Sequence, residues 1–295
     1  MRIVKLNGGL GNQMFQYAFA KSLGEDVLFD CSWYDHMPQK NKQPHLFIQL
    51  NLFNTTLKFA DENQIKECLQ ETLFAEKIHK LIYKYTRKHI QIFPTHRVFE
   101  KIINRYEPEL QEIKGDVLYD GFFQSPRYFN KIRDRLVRDF TPKNPLSAEN
   151  AKILEDIRNS NSVALSVRRG DYVKLGVALS ADYYNSALEE IAKRVENPIF
   201  YMFSDDMEWS LKNINVDNKF TIIPCESYDK NCGYICGMYL MSQAKHNIIT
   251  NSTYPWWSAW LNNNANTITI SPKGWLKPTK WNTFEDLSLA SWIQI

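Results

Sequence analysis

A strong excess of charge of one sign is missing from this chain: 36 Lys and Arg oppose 33 Asp and Glu, a net of +3 over 295 residues. So slight a bias argues against wholesale nucleic-acid binding and leaves room only for a local basic patch. Cysteine is scarce as well. Cys31, Cys68, Cys225, Cys232 and Cys236 are odd in number and scattered, which suits free thiols in a reducing compartment and not a disulfide framework. The Cys232-x-x-x-Cys236 spacing is not that of a structural zinc site, and His246 is a distant third partner, so no zinc is expected. No apolar run approaches the roughly 20 residues that span a bilayer. Met1-Arg2-Ile3-Val4-Lys5-Leu6 is too short and too soon interrupted for a signal peptide. These absences lead us to expect a soluble, cytoplasmic protein. Internal repeats and low-complexity segments are missing too, as are a Walker loop and a complete dinucleotide fingerprint: Gly9-x-Gly11 is followed by Met14 where a third glycine belongs.

What is present is an ordinary globular composition, 44% hydrophobic and 23% charged, long enough for two domains and a sizeable core. Aromatic residues reach 14%, with eight tryptophans; they serve a large core and also suit grooves for sugar rings or bases. Thr141-Pro142-Lys143-Asn144-Pro145-Leu146-Ser147 is polar, carries two prolines and lacks periodicity, so it reads as a linker between residues 1–140 and 141–295. After it, helices and short apolar runs alternate. The strands expected are 163–169, 199–203, 220–223, 247–250 and 267–270, with helices at 148–159, 181–195, near 207–213, 233–245 and around Trp256. Such alternation implies right-handed βαβ units and a parallel sheet. The first half begins with a strand at 3–6, a glycine turn and a helix from Met14, followed by strands at 27–30 and 117–124. Residues 36–45 read as a loop. Residues 61–93 read as helical, with Lys77, Lys80, Lys84, Arg87 and Lys88 around an apolar face. This is either a core helix with a solvated side or a basic amphipathic segment able to lie on an anionic membrane surface.

The chemistry concentrates at Val163-Ala164-Leu165-Ser166-Val167-Arg168-Arg169-Gly170-Asp171-Tyr172. A buried strand that runs into two arginines puts them where open α/β sheets bind ligands, and guanidiniums are shaped to clasp phosphate. Alternation sends Arg168 to the face of Ser166 and Arg169 to the opposite one. One can then reach a ligand while the other is held back, with Asp171 a candidate partner. The same residue types also make surface ion-pair clusters, but the position after a buried strand favours an anion site. If the strands near 167, 203 and 250 are neighbours, Ser204-Asp205-Asp206 and Asn251-Ser252-Thr253 join them at one crevice. Asp205 or Asp206 can accept from a guanine edge or ribose hydroxyls, hold a metal, or cap the following helix. Ser252 and Thr253 open a helix, where hydroxyls and backbone N–H groups suit a pyrophosphate. Asn7-Gly8-Gly9-Leu10-Gly11-Asn12-Gln13 is either an anion-binding helix start or a tight turn with Asn12 as cap.

Three blocks, Gly8–Tyr17, Val167–Tyr172 and His246–Trp257, resemble in order the signatures of bacterial α-1,2-fucosyltransferases, glycosyltransferase family 11; Phe122–Phe129 is similar to the family between the first two. The resemblance implies an α/β protein of two Rossmann-like domains, GT-B-like, with parallel sheets flanked by helices. It assigns the acceptor side to residues 1–140 and the GDP-fucose side to 141–295. It further implies transfer of L-fucose from GDP-fucose to O2 of a terminal β-galactose on an oligosaccharide or cell-surface glycan, with inversion and no metal cofactor. By position, Arg168 holds the β-phosphate with Arg169 in support, Asp205 or Asp206 faces guanine or ribose, and Asn251, Ser252 and Thr253 line the pyrophosphate. Asn12 faces donor sugar and acceptor, beside Gly9 and Gly11. Ser166 stands where the family usually carries histidine, so one contact near the nucleotide must come from elsewhere. Asp171 is the nearest candidate for the base. Peripheral contact with the cytoplasmic face of the inner membrane is a further expectation. The alternatives are a non-catalytic nucleotide-sugar or glycan-binding protein and a fucosyltransferase that uses a different acceptor hydroxyl; a kinase or sulfotransferase normally shows a phosphate loop.

Overall fold

The computed structural model describes residues 1–35, 47–69, 77–78, 81–82, 85, 96–275 and 283–295. The loop expected at 36–45 and most of the basic segment near residue 80 lie outside the described residues. The chain divides into two units. The first comprises Met1–Ile48, Thr56–Arg133 and Thr279–Asp286; the second comprises Gln49–Thr55, Asp134–Pro278 and Leu287–Ile295. The division therefore falls at Arg133/Asp134, ahead of the proline-rich stretch at 141–147, because the helix Arg133–Asp139 and that stretch pack with the second unit.

In the first unit β1 (Arg2–Lys5), β2 (Leu28–Asp30), β3 (Arg97–Phe99) and β4 (Val117–Asp120) form a parallel sheet in the order β2-β1-β4-β3. Ile3 and Val4 are both fully buried, as expected of a strand covered on two faces. α1 (Leu10–Leu23) is buried nearly all round, so its two polar core residues, Gln13 and Gln16, must find partners inside. α2 (Glu62–Leu69) buries only its C-terminal Cys68 and Leu69.

In the second unit β5 (Ser162–Val167), β6 (Ile199–Ser204), β7 (Thr221–Cys225), β8 (His246–Ile248), β9 (Thr269–Ser271) and β10 (Ile293–Gln294) are all parallel, in the order β10-β9-β8-β5-β6-β7. Counted from β5, this is the 3-2-1-4-5-6 order of the dinucleotide-binding fold, with its topological switch between β5 and β8. All six β5 residues are buried. One β5 face, Val163, Leu165 and Val167, packs with Tyr184, Ala187, Leu188 and Ile191. α3 (Arg133–Asp139), α4 (Ala148–Asn159), α5 (Gly170–Lys174), α6 (Ala181–Ala192), α7 (Met207–Asn213), α8 (Ile235–Ser242) and α9 (Thr253–Leu261) connect the strands. Ser147 caps α4 by accepting the Asn150 N–H at 3.3 Å. β3, β10 and α5 are short and follow no clear periodicity, and none of them was expected from the sequence. No helix among the described residues is long and apolar enough to cross a membrane.

Candidate functional site

The switch between β5 and β8 gathers the residues singled out in the sequence for the second unit. β5 stops at Val167, and α5 begins at Gly170, so Arg168 and Arg169 occupy the strand-to-helix turn. Their side chains diverge. The Arg168 guanidinium lies between two carboxylates, with Nη2 2.7 Å from Asp171 Oδ1 and Nη1 2.9 Å from Asp205 Oδ2. Arg169 turns the other way and lies over the Trp209 ring, 3.5 Å from its centroid. Its Nε is 3.3 Å from Asp206 Oδ2. Arg169 is the more buried of the two, its side chain 15% exposed against 30% for Arg168.

The held-back arginine is therefore Arg169, but Trp209 and Asp206 hold it. Asp171, suggested for that task, pairs with Arg168 instead, because three residues along the first turn of α5 bring it back over Arg168. Asp205 is shared. Its Oδ1 accepts the Arg169 backbone N–H at 2.7 Å while Oδ2 meets Arg168. Asp206 caps α7 by accepting the Trp209 N–H at 3.1 Å. The aspartates thus turn toward the arginines in this structure. Gly170 is needed here for clearance: a Cβ would stand 2.7 Å from Asp205 Oδ2. Among the described residues no group of three or more His, Cys, Asp or Glu is placed to hold a metal ion. All five cysteines are free thiols.

On the β8 side, Ser252 is the N-cap of α9 without a side-chain capping bond, so the positive end of the helix dipole lies at Ser252 and Thr253, on this edge of the sheet. Asn251 does not face it. It is 5% exposed, and its amide donates to the carbonyls of Val177 (2.9 Å) and Trp275 (2.8 Å). Asn251 fixes the loop from which Ser252 and Thr253 project. Tyr172 fastens the two sides of the switch: its hydroxyl donates to the Asn251 carbonyl at 3.3 Å, and its ring lies beneath Arg168, 5.5 Å from centroid to guanidinium carbon. Burial pushes that hydroxyl up, against a hydrogen bond with Ser252. Ser166 is 6% exposed on β5, opposite Phe203.

The first unit has its own switch, between β1 and β4. Gln16, fully buried, closes it by accepting the Asn7 N–H and donating to the Gly121 carbonyl, both at 3.0 Å. Gly8 makes the turn at φ +76°, and a Cβ there would stand 2.6 Å from Asn12 Nδ2. Gly9, not Asn12, is the N-cap of α1. The helix starts earlier than its apolar run suggests, leaving Gly11 and Asn12 inside the first turn. Asn12 Oδ1 accepts from Gln124 Nε2 at 2.9 Å. Glu100, just past β3, accepts the Phe122 N–H at 2.8 Å, and burial pushes its carboxyl up to about 7 despite that bond. Trp209, Tyr172, Gln16 and Glu100 escaped the sequence reading. Tyr172 lay inside a block already singled out; nothing in the spacing of the others signals their contacts.

The family model of glycosyl transferase family 11 matches residues 1–295. An alpha-1,2-colitosyltransferase of Escherichia coli is 32% identical, over 99% of this chain and 98% of that protein. A galactoside 2-alpha-L-fucosyltransferase, SEC1 of Bos taurus, is 28% identical over 52% of this chain and 45% of its own length. Among solved structures, NodZ alpha-1,6-fucosyltransferase soaked with GDP-fucose is similar at a TM-score of 0.45 and 15% identity, over 88% of this chain and 92% of that one. The two parallel sheets, each flanked by helices, agree with the two Rossmann-like domains that the resemblance implied. A match along its whole length and a full-length relative at 32% identity together give one conclusion: the chain belongs to glycosyltransferase family 11.

Proposed function

We propose that this glycosyltransferase moves L-fucose from GDP-fucose to O2 of a terminal β-galactoside, with inversion at the anomeric carbon and without a metal ion. The posture of Arg168 carries the reading. A guanidinium has five N–H donors in a fixed fork, and its two ion pairs engage only Nη1 and Nη2, one partner each. The Asp171 and Asp205 carboxylates set the plane of the fork before any ligand arrives. The remaining donors and the first N–H groups of α9 serve the diphosphate. Three carboxylates stand against two guanidiniums here, so the leaving group meets aimed hydrogen-bond donors more than a field of positive charge.

The acceptor hydroxyl oxygen forms a bond to C1 of fucose as the bond from C1 to the β-phosphate oxygen breaks. The hydroxyl proton passes to a carboxylate, for which Asp171 is proposed, and GDP leaves with the bonding electron pair. Negative charge grows on the diphosphate as the transition state is approached, so fixed donors bind it more tightly there than in the ground state. In the first unit, Asn12 held by Gln124 offers amide groups to sugar hydroxyls. A galactoside acceptor follows the name of the Bos taurus relative.

The experiment is a thermal-shift panel followed by a transfer assay. GDP and GDP-fucose are expected to raise Tm while ADP, UDP and NAD leave it unchanged. Lactose plus GDP-fucose in EDTA is expected to give a 2-O-α-fucosyl product by NMR. Binding without product would make the protein a nucleotide-sugar binder; product only after metal addition would sink the metal-free reading. A second donor, the GDP-linked form of colitose, is favoured by the full-length relative named for that sugar. Competition between the two donors decides it.

A further inference from the structure

The aspartates that could have faced the nucleoside are engaged with Arg168, Arg169 and the start of α7, which leaves the base without a reader at the end of β6. In the dinucleotide fold the phosphates sit at the first strand and the nucleoside extends over the second and beyond. The next strand here is β7, about 10 Å from β5 across two strand spacings. Just past its end stand Glu226, Ser227 and Tyr228.

This turn is fixed against α8, close to the first turn of α9. The Gly237 N–H donates to the Ser227 carbonyl at 3.1 Å. A Cβ on Gly237 would lie 2.8 Å from Ser227 Cα and 3.0 Å from Tyr254 Oη. Tyr254, in the first turn of α9, donates its hydroxyl to the Tyr234 carbonyl at 2.6 Å and feels the Arg168 charge. Asp229 pins the other flank: its carboxylate accepts from Ser147 N at 2.9 Å, Asn150 Nδ2 at 2.7 Å, Asn231 N at 2.7 Å and Cys232 N at 3.2 Å. On this rigid support Tyr228 is 54% exposed, edge-on to Tyr234 with ring centroids 5.2 Å apart. Glu226 is exposed, and among the described residues no hydrogen bond or ion pair occupies its carboxylate.

We propose that the turn after β7 holds the nucleobase of the donor, Tyr228 stacking on the purine face and the Glu226 carboxylate accepting from the two adjacent N–H groups of guanine. This rests on the GDP-linked donor proposed above. Adenine turns an acceptor toward that position and would meet the carboxylate with like polarity, so Glu226 selects against it. Tyr228 supplies stacking that is blind to base identity. The arrangement also provides a nucleotide contact away from Ser166.

The test is titration calorimetry of GDP, IDP and ADP with the full chain and its Glu226→Gln, Tyr228→Ala and Tyr228→Phe variants, with Tm as the control for folding. IDP lacks the exocyclic amine and is expected to bind the unaltered protein about tenfold more weakly than GDP. Glu226→Gln is expected to weaken GDP about ten- to a hundredfold and to erase the preference over IDP and ADP. Tyr228→Ala is expected to weaken all nucleotides about tenfold, and Tyr228→Phe to restore binding. If the unaltered protein binds GDP and transfers fucose while Glu226→Gln keeps the full preference for guanine, this assignment is overturned and the donor reading stands. If the unaltered protein binds no GDP at all, both are overturned.

Discussion

The Arg169 guanidinium lies against the indole of Trp209, 3.5 Å from the ring centroid, while its Nε meets Asp206. An arginine so held is a fixed charge behind Arg168. Removing the indole should release it. Trp209→Leu is expected to lower stability by about 1–2 kcal/mol and kcat about tenfold, measured by chemical denaturation and by initial rates with saturating GDP-fucose. Unchanged kcat would show that the stack serves folding alone.

Arg168→Ala is expected to cut turnover about a hundred- to a thousandfold, the usual consequence of losing one aimed donor to a developing anion. Arg168→Lys keeps a point charge but not the fork, and should recover only part of the loss. Near wild-type transfer by the alanine variant would remove Arg168 from the mechanism.

Gly170→Ala tests the clamp without touching a charge. Its new methyl would press on Asp205 Oδ2 at 2.7 Å and turn that carboxylate away from Arg168. The expected result is a raised Kd for GDP by calorimetry with Tm nearly unchanged; an unaltered Kd would mean that the Asp205 contact plays no part in donor binding.

Glu100 gives stability a pH dependence of known sign. Burial raises its carboxyl from 4.5 to about 7. Below the unfolded value both states are protonated and nothing is lost. As pH rises from about 4.5 to 7 the unfolded chain ionises first, so the folded state loses up to about 3 kcal/mol, and the loss persists above that window. Glu100→Gln, which keeps an acceptor for the Phe122 N–H, should be more stable than the wild type at pH 8 and lack this slope. Denaturation curves between pH 4 and 8 would show it, and parallel curves for the two proteins would refute it.

Much of the architecture was legible in the sequence because β5 and β6 are short, mostly apolar runs set between helical periods, and burial on both faces favours that pattern. Helix α4 falls at 148–159, where the Ser147 cap and the preceding prolines put it. The site was legible in part. The pleat predicts that the two arginines diverge, and they do so from the turn past β5, which ends at Val167.

The sequence by itself determined which chemical groups reach the sheet edges: Arg168 and Arg169 after β5, Asp205 and Asp206 after β6, Ser252 and Thr253 opening α9. It could not say which of these groups would hold which. The pairing of Asp205 with Arg168, the seat of Arg169 on Trp209, the inward turn of Asn251 and the burial of Glu100 were decided only by tertiary structure. Ion pairs and ring contacts depend on separations of a few ångströms between strands and helices far apart in the chain, and hydrophobic periodicity carries no information about those distances.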